Sequence, residues 1–393
     1  MPTAPRTHRP GGYGDVLDLV RSRAATSRAD IARLSGLSPS TASARVDTLL
    51  RRRLVREEGD GPSSGGRRPR RIVLDPGLGT VAAVDLSAHQ ATLGLVDAGG
   101  AVTAFAEVDV DLVDGPEATI SAVAAHLERM REPAMGPLLA ACVGVPGPVA
   151  PGRDVVVSAA RMPGWNGTDV SALLEARLHV PTVVENDANL VALGELALRP
   201  HAGGQVVAVK IDSGIGCGVV VDGALYRGAG GMAGDISHSA VPGSPAVPCS
   251  CGRTGCLDVV ASGSALMEAL REAGRDVETA DDLVRLIRDA DPLATNLLRE
   301  SGERVGAVLA TVVSFFNPSL LVLAGQVSSA AAFTSAVTST IYASCLPATT
   351  ESLEIAPSQD GVRAGVHGAA RVALDTAFAD ESVEAMLRDG ARR

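Results

Sequence analysis

The sequence Ala233-Gly234-Asp235-Ile236-Ser237-His238 precedes Cys249-Ser250-Cys251-Gly252-Arg253-Thr254-Gly255-Cys256 in this chain of 393 residues. Three thiols and one imidazole are the ligands of a closed tetrahedral zinc site, and the two glycines permit the tight turns that bring close cysteines together. We therefore expect His238, Cys249, Cys251 and Cys256 to bind a structural Zn²⁺. Four protein ligands would leave no open position for hydrolytic chemistry. The alternative is a group of reduced surface thiols, which would be open to oxidation.

Around this stretch, from Pro76 onward, apolar runs alternate with helical patterns and Gly-rich turns. Such alternation is typical of an α/β fold and is compatible with two strand-rich regions that flank a cleft. The predicted strands cover 81–86, 91–96, 138–145, 206–211 and 217–221, and the predicted helices cover 117–130 and 169–178.

A polar cluster, Glu185-Asn186-Asp187-Ala188-Asn189, directly follows the apolar residues 181–184. A carboxylate and amides at the end of a strand suit the recognition of hydroxyl groups, and an aspartate there can act as a general base toward an alcohol. Capping of a helix by Asn186 or Asp187 is the alternative interpretation.

The N-terminal residues have the pattern of a helix-turn-helix. Ser27 and Ser38 can each cap a helix, Gly36 supplies the turn between them, and Pro39 suits the first position of the second helix. A short helix, a turn and a longer helix allow the second helix to enter the major groove of DNA. The predicted contacts on that helix are Ser38, Ser40, Thr41, Ala44, Arg45 and Thr48. A three-helix domain that does not bind DNA is the alternative.

A Gly-, Ser- and Pro-rich segment at 59–66 precedes a group of arginines that begins at residue 67. It is typical of a wing hairpin whose arginines reach phosphates or the minor groove. The predicted wing contacts are Arg67, Arg68 and Arg70.

The charge of the chain is unevenly distributed. Residues 1–75 carry 15 arginines against 8 acidic residues, whereas the remaining residues carry 20 basic and 37 acidic ones, for a total of −10. A basic N-terminal part (the head) followed by an acidic remainder (the body) predicts that only the head binds a polyanion. No signal peptide or membrane helix is evident, so we expect a cytoplasmic protein without membrane contact.

Taken together, these motifs resemble the ROK family of sugar kinases and sugar-responsive repressors over essentially the whole chain. The resemblance rests on Gly144-Val145-Pro146-Gly147-Pro148-Val149, Pro163-Gly164-Trp165, Glu185–Asn189, Gly214-Ile215-Gly216, Ala233–His238 and the cysteine cluster. It implies an actin-like fold of two lobes that binds a hexose in the cleft, normally as a homodimer or homotetramer.

The resemblance also implies roles for individual residues. Asn186 and Asp187 would contact sugar hydroxyls, with Asp187 at the position of the kinase base, and His238 would border the sugar as well as hold zinc. Asp235 and Asp258 stand where the family usually has glutamate, one methylene longer. These two substitutions bear on which sugar is bound.

The sequence departs from the kinases of the family in two places. Their phosphate loop, usually Asp-x-Gly-Gly-Thr, corresponds to Asp85-Leu86-Ser87-Ala88-His89, which lacks the glycines that allow a phosphate close to the backbone. Residues 323–327 also have fewer glycines than the kinase segment. We therefore expect a domain that senses a sugar without phosphorylating it, and no catalytic residues.

The resulting prediction is a sugar-responsive transcription regulator, a repressor of carbohydrate uptake or catabolism genes. It comprises a winged helix-turn-helix (1–75) and an actin-like domain with an N-terminal lobe (76–190, completed by a helix near 363–378) and a zinc-containing C-terminal lobe (191–362). Its partners would be an operator in double-stranded DNA and a sugar effector. One alternative is an ATP-dependent hexose kinase with a DNA-binding head, and another is a regulator with a vestigial sugar site that responds to a protein.

Overall fold

The computed structural model describes residues 11–60, 70–150, 152–157, 162–199 and 204–389. Its N-terminal head consists of three helices and a hairpin: α1 (Tyr13–Arg21), α2 (Arg28–Ser35), α3 (Pro39–Arg51), β1 (Val55–Asp60) and β2 (Arg70–Leu74). β1 pairs antiparallel with β2, so the hairpin has the position of a wing. Arg67 and Arg68, which we predicted to contact DNA, lie outside the described residues.

The caps of the head are those that the sequence predicts. The Ser27 side chain accepts a hydrogen bond from the Asp30 backbone N–H at the start of α2, and the Ser38 side chain accepts one from Thr41 at the start of α3. Gly36 ends α2 in the left-handed conformation, with a φ of 69°, which a residue without a Cβ adopts readily. Each cap provides a hydrogen-bond partner for a backbone group that has none within the helix.

A first five-stranded sheet follows, with the strand order β5-β4-β3-β6-β9. β3 pairs antiparallel with β4 and parallel with β6, which continues parallel to β9. The elements of this region are β3 (Thr80–Leu86), β4 (Gln90–Asp97), β5 (Val102–Asp109), α4 (Pro116–Met130), β6 (Leu138–Val145), β7 (Val149–Ala150), β8 (Val155–Val156), α5 (Val170–Leu178), β9 (Thr182–Asn186) and α6 (Asp187–Leu198).

A second sheet repeats the order and the strand directions of the first, as β12-β11-β10-β13-β14. Its region contains β10 (Gln205–Ile211), β11 (Ile215–Val221), β12 (Ala224–Leu225), α7 (Leu257–Ala261), α8 (Gly263–Glu272), α9 (Ala280–Arg288), α10 (Pro292–Phe316), β13 (Leu320–Ala324), α11 (Ala331–Ser344), α12 (Pro347–Thr350) and β14 (Glu354–Pro357). The predicted strands and helices fall within observed ones, except that Asp169 is the N-cap of α5 and not its first residue. Two helices follow β14, namely α13 (Ala364–Ala377) and α14 (Asp380–Asp389).

Helices α6 and α13 join the two sheets. α6 packs on β10 and β11 of the second sheet, whereas α13 packs on β3 and β6 of the first. The two helices approach so closely that a Cβ at Gly194 would lie 1.8 Å from the carbonyl oxygen of Ala364, and one at Gly368 would lie 1.9 Å from that of Leu190. Only glycine permits this contact, because those distances are far inside van der Waals separation.

The head packs against the C-terminal helices. Val16, Leu17 and Val20 of α1 share a buried cluster with Phe378 and Val383. Within the same contact the Gly14 backbone N–H donates to Asp380 Oδ1 at 2.8 Å, and Arg21 forms an ion pair with Asp375. The head is therefore anchored to the body through α13 and α14.

Among the described helices, none is both long enough and apolar enough to cross a bilayer.

Candidate functional site

A cavity of about 830 Å³ lies between the two lobes. All five residues that we predicted to bind a sugar line it, namely Asn186, Asp187, Asp235, His238 and Asp258. Asn186 ends β9 of the first sheet and Asp187 begins α6, whereas residues 235–258 follow β12 of the second sheet. The fold thus brings together groups that are far apart in sequence, in a cavity large enough for a small ligand.

Asn186 caps α6 and also lines the cavity. Its side-chain oxygen accepts from the Asn189 backbone N–H at 3.1 Å, and its amide nitrogen donates to the Gly147 carbonyl at 3.1 Å and to Asp187 Oδ1 at 3.2 Å. The capping interpretation of Asn186 is therefore correct for the local structure. Because these bonds fix the amide, Asn186 also orients the carboxylate of Asp187, the first residue of α6.

The neighbouring Glu185 was not predicted as a site residue. Its side chain is buried, with 5% of the residue exposed, and both of its carboxylate oxygens are hydrogen-bonded. One of its oxygens accepts from the Asn189 side chain at 2.8 Å, and the other accepts from Arg227 Nε at 2.8 Å. Glu185 therefore stabilises the turn from β9 into α6, from which Asn186 and Asp187 reach the cavity.

Sequence reasoning also missed Lys210, the only lysine of the chain. Its ammonium lies 3.0 Å from Asp187 Oδ2, 3.1 Å from Asp85 Oδ2 and 3.9 Å from Asp212 Oδ2. We call these four residues the Lys210 cluster. A lysine within an otherwise apolar strand was the available signal, but the three carboxylates that surround it come from separate segments.

The Lys210 cluster should make stability depend on pH through Asp85. Burial raises the pKa of Asp85 to about 6 from an ordinary 3.8, with Lys210 opposing the rise and Asp187 and Asp212 adding to it. The folded state therefore binds a proton that the unfolded state has lost, and this contribution to stability disappears as the pH rises through about 6. The free energy of unfolding of the wild type, minus that of Asp85→Asn, should fall between pH 4 and pH 7. A difference that stays constant across this range would contradict the assignment.

Asp235 and Asp258, the two predicted sugar ligands that follow β12, differ in their exposure to solvent. Asp258 is buried, and its Oδ1 accepts from the Ile215 backbone N–H at 3.1 Å, whereas Asp235 is exposed at the cavity. Gly234 precedes Asp235 with a φ of 90°, and a Cβ there would lie 1.9 Å from the carbonyl oxygen of Cys217. A glycine is thus required for the turn that brings Asp235 to the cavity.

The predicted metal ligands converge. The ligand atoms of His238, Cys249, Cys251 and Cys256 all lie within 4.8 Å of one another. The Cys249 sulfur is 3.4 Å from His238 Nδ1, and the sulfurs of Cys251 and Cys256 are 3.6 Å apart. Ligands that bind one zinc ion tetrahedrally lie roughly 3.5–3.8 Å apart. This geometry and the donor set suit a metal ion, which would link the loop after β12 to the start of α7.

The predicted DNA contacts on α3 separate into two groups. Ser38, Ser40, Thr41 and Ala44 are exposed. Arg45 instead stacks on the ring of Tyr13 at 4.9 Å, and Thr48 donates to the Ala44 carbonyl at 3.0 Å. The N-terminal half of α3 therefore presents the more exposed surface, as a helix that enters a groove by its N-terminus would require.

Only one of the predicted wing residues can be placed. Arg70 is exposed on β2, with its guanidinium 3.3 Å from Glu57 of the paired strand. A surface pair of this kind is weak, so a phosphate can compete for the arginine.

Comparison with known proteins finds two families that match separate parts of the chain. The IclR helix-turn-helix domain matches residues 14–59, and the ROK family matches residues 81–376. A xylose repressor of Bacillus spizizenii is 28% identical over 89% of this chain and 91% of its own length. A glucokinase of Streptomyces coelicolor is 30% identical over 64% of this chain and 83% of its own.

Among solved structures, a ROK family transcriptional regulator, a homologue of the E. coli MLC protein, matches with a TM-score of 0.78. The match has 22% identity and covers 96% of this chain and 98% of the other. It shows that the two chains have the same fold. The expected fold class is confirmed: an N-terminal helix-turn-helix head is followed by an actin-like body of two lobes. The helix-turn-helix head, the repeated sheets, and the match over residues 81–376 together show that this chain belongs to the ROK family.

Proposed function

We propose that the protein is a sugar-responsive, DNA-binding transcription repressor of genes for carbohydrate uptake or catabolism. The observation that carries this proposal is the combination, in one chain, of a helix-turn-helix head with a ROK body whose cavity is lined by all five predicted sugar residues. The similarity to a xylose repressor over nearly the full length of both chains supports it. A DNA operator as partner implies that the protein works in the cytoplasm.

The proposed domain bounds agree with the observed elements except at 190, which falls within α6 (Asp187–Leu198). Residues 1–75 form the DNA-binding head, since β2 ends at Leu74 and the first sheet begins at Thr80. Residues 76–190 form the N-terminal lobe, completed by 363–378, because α13 packs on the first sheet. Residues 191–362 form the C-terminal lobe.

In the proposed sugar site, the carboxylates of Asp187, Asp235 and Asp258 accept hydrogen bonds from sugar hydroxyls. Asn186 and His238 complete the lining. Asp258 already accepts the Ile215 N–H, so it is held in one orientation before a ligand arrives. Fixed acceptors of this kind discriminate between hydroxyl arrangements, because a mismatch leaves a buried polar group without its partner.

We further propose that the domain does not transfer phosphate. The segment after β3 forms a turn in which the Ser87 N–H bonds to the Gln90 carbonyl at 2.8 Å and is not open to a ligand. In the second segment that departs from the kinases, the Gln326 N–H donates to Asp212 Oδ1 at 2.6 Å. In both segments, therefore, a backbone N–H bonds to a protein acceptor, and both segments have fewer glycines than those of the kinases, in which glycines allow a phosphate close to the backbone.

The head of the proposed repressor reads DNA with the exposed first turns of α3, through Ser38, Ser40, Thr41 and Ala44, while Arg45 and Thr48 contribute further along the helix. The wing would add Arg67, Arg68 and Arg70. In a homodimer or homotetramer, two heads must meet half-sites one helical turn apart or a multiple of it, so a small rotation of the heads abolishes simultaneous docking.

The structure offers a route for that rotation. Asp187 begins α6, α6 packs on α13 without intervening side chains at Gly194 and Gly368, and α13 leads into α14, which bonds to the head at Gly14. Closure of the cleft around a sugar would move α6, and with it the helices that anchor the head. Rigid elements with close contacts transmit such movements.

The Cys3His cluster is proposed to bind one structural Zn²⁺, with His238, Cys249, Cys251 and Cys256 as ligands. Elemental analysis of the purified protein should find about one zinc per chain, and Cys251→Ser, at the exposed ligand, should lose it. The melting temperature should then fall by roughly 5 °C or more, because metal that binds only the folded state stabilises it. Cys345→Ser, outside the cluster, should keep the metal. A wild type that contains no metal and is indifferent to chelators would refute the zinc site.

The proposed function is tested by selecting preferred sequences from a random DNA library, followed by fluorescence anisotropy with hexoses, N-acetylhexosamines and pentoses. Tight, salt-sensitive binding that one sugar weakens supports a repressor. Absence of any specific sequence, together with Mg-ATP binding and phosphorylation of a hexose, would instead favour the kinase alternative. Specific DNA binding that no sugar alters would favour a vestigial sugar site.

A further inference from the structure

Lys210 lies where the two lobes meet. It belongs to β10 of the second sheet, whereas Asp85 belongs to β3 of the first sheet and Asp187 begins α6. Its contacts at 3.1 Å and 3.0 Å therefore cross between lobes, and its aliphatic stem is enclosed, since the residue is 8% exposed. Asp85 and Asp187 are also buried, at 6% and 9%.

A buried ammonium with carboxylates on several sides is held firmly in its charged form. Burial alone would lower the pKa of Lys210, but Asp187, Asp85 and Asp212 together raise it above its ordinary value. The charges do not balance, because one cation meets three carboxylates. Removing the cation would leave the carboxylates of Asp85 and Asp187 to repel each other with little water to screen them.

We propose that Lys210 is a positioning residue of the sugar site, which holds the carboxylate of Asp187 in place for a sugar hydroxyl and ties the two lobes together through Asp85. This inference rests on the proposed function, because it takes Asp187 as a sugar ligand. Asn186 fixes the other oxygen of Asp187 at 3.2 Å, so the carboxylate is held from two sides. The carboxylate of Asp187 can still accept further hydrogen bonds, and a sugar hydroxyl is a suitable donor.

The same cluster limits which ligands the cleft accepts. Among the described residues that line the cavity, Lys210 is the only lysine or arginine, against the aspartates at 111, 187, 212, 235 and 258. Its ammonium is already shared by carboxylates and offers little to a ligand's phosphate. The cleft should therefore favour an uncharged sugar over the corresponding sugar phosphate.

The single lysine makes the test direct. In protein labelled with ¹⁵N-lysine, the buried ammonium should give one Nζ signal. That signal should shift in Asp187→Asn without any ligand, and in the wild type on saturation with a sugar identified by thermal shift. A signal that neither change moves would overturn the proposal. If no sugar binds the wild type, the proposed function fails, while the Asp187→Asn spectrum still decides whether Lys210 holds that carboxylate.

Binding measurements supply the second test. Lys210→Met should weaken sugar binding at least about tenfold. Arg177→Met, at a half-buried residue of α5 that does not line the cavity, should bind the sugar within about twofold of the wild type. The double variant Lys210→Met/Asp85→Asn should recover part of the affinity, because it removes one of the repelling carboxylates. Wild-type affinity in Lys210→Met would overturn the proposal, as would a double variant weaker than Lys210→Met. If Lys210→Met does not fold, the proposal is tested by whether the Nζ signal of the wild type shifts on saturation with the sugar.

Discussion

Gly368→Ala is expected to lower the free energy of unfolding by about 3 kcal/mol or more, although it adds only one methyl group. The new Cβ would lie 1.9 Å from the carbonyl oxygen of Leu190, so α13 would have to move away from α6. No side chain can rotate to relieve this contact, because its partner is backbone. Urea unfolding followed by circular dichroism measures the effect.

Gly230→Ala is the matched control for this substitution. Nothing lies within 4 Å of a Cβ added there, and the backbone of Gly230 has no positive φ. We expect this variant to remain within about 0.5 kcal/mol of the wild type. A Gly368→Ala variant as stable as Gly230→Ala would show that the two helices are not in the close contact described.

The second large effect is expected from Ser40→Glu in the head. Ser40 is exposed in the first turn of α3, where a negative charge favours the helix but opposes DNA phosphates. DNA affinity should therefore fall by roughly 100-fold at physiological salt, while the melting temperature stays unchanged or rises. Fluorescence anisotropy on the selected operator and a thermal melt separate the two quantities.

Thr295→Glu places the same charge in the first turn of α10, in the body of the protein, where residue 295 is also exposed. It should leave DNA affinity within about twofold of the wild type, because it is remote from the head. Equal losses of affinity in the two variants would mean that net charge, and not contact with α3, weakens the binding. Undiminished affinity in Ser40→Glu would remove α3 from the interface.

Local patterns in the sequence predicted much of this fold. Ser27, Ser38 and Pro39 mark helix starts through capping and a fixed φ, which depend on a few neighbouring residues. The metal cluster was also predictable, because three of its ligands lie within eight positions. The five residues at the cavity came from the resemblance to the ROK family, and the cavity brings them together.

Interactions between distant segments were not predictable in the same way. Within the Lys210 cluster, residues 85, 187 and 210 come from separate segments and meet only because both sheets have formed and α6 lies between them. Asp212 is a turn residue in the sequence, and its bond to the Gln326 N–H depends on the parallel pairing of β10 with β13. The docking of the head on α14 is another contact over a long separation that no local pattern encodes.

The most direct test of a sugar-responsive repressor is a reciprocal titration. DNA affinity is measured by anisotropy with and without saturating sugar, and sugar affinity is measured by calorimetry with and without saturating operator DNA. We predict that sugar weakens DNA binding by roughly 5- to 150-fold and that DNA weakens sugar binding by the same factor, because the coupling free energy is shared. Sugar affinity that is identical with and without the operator would contradict the account.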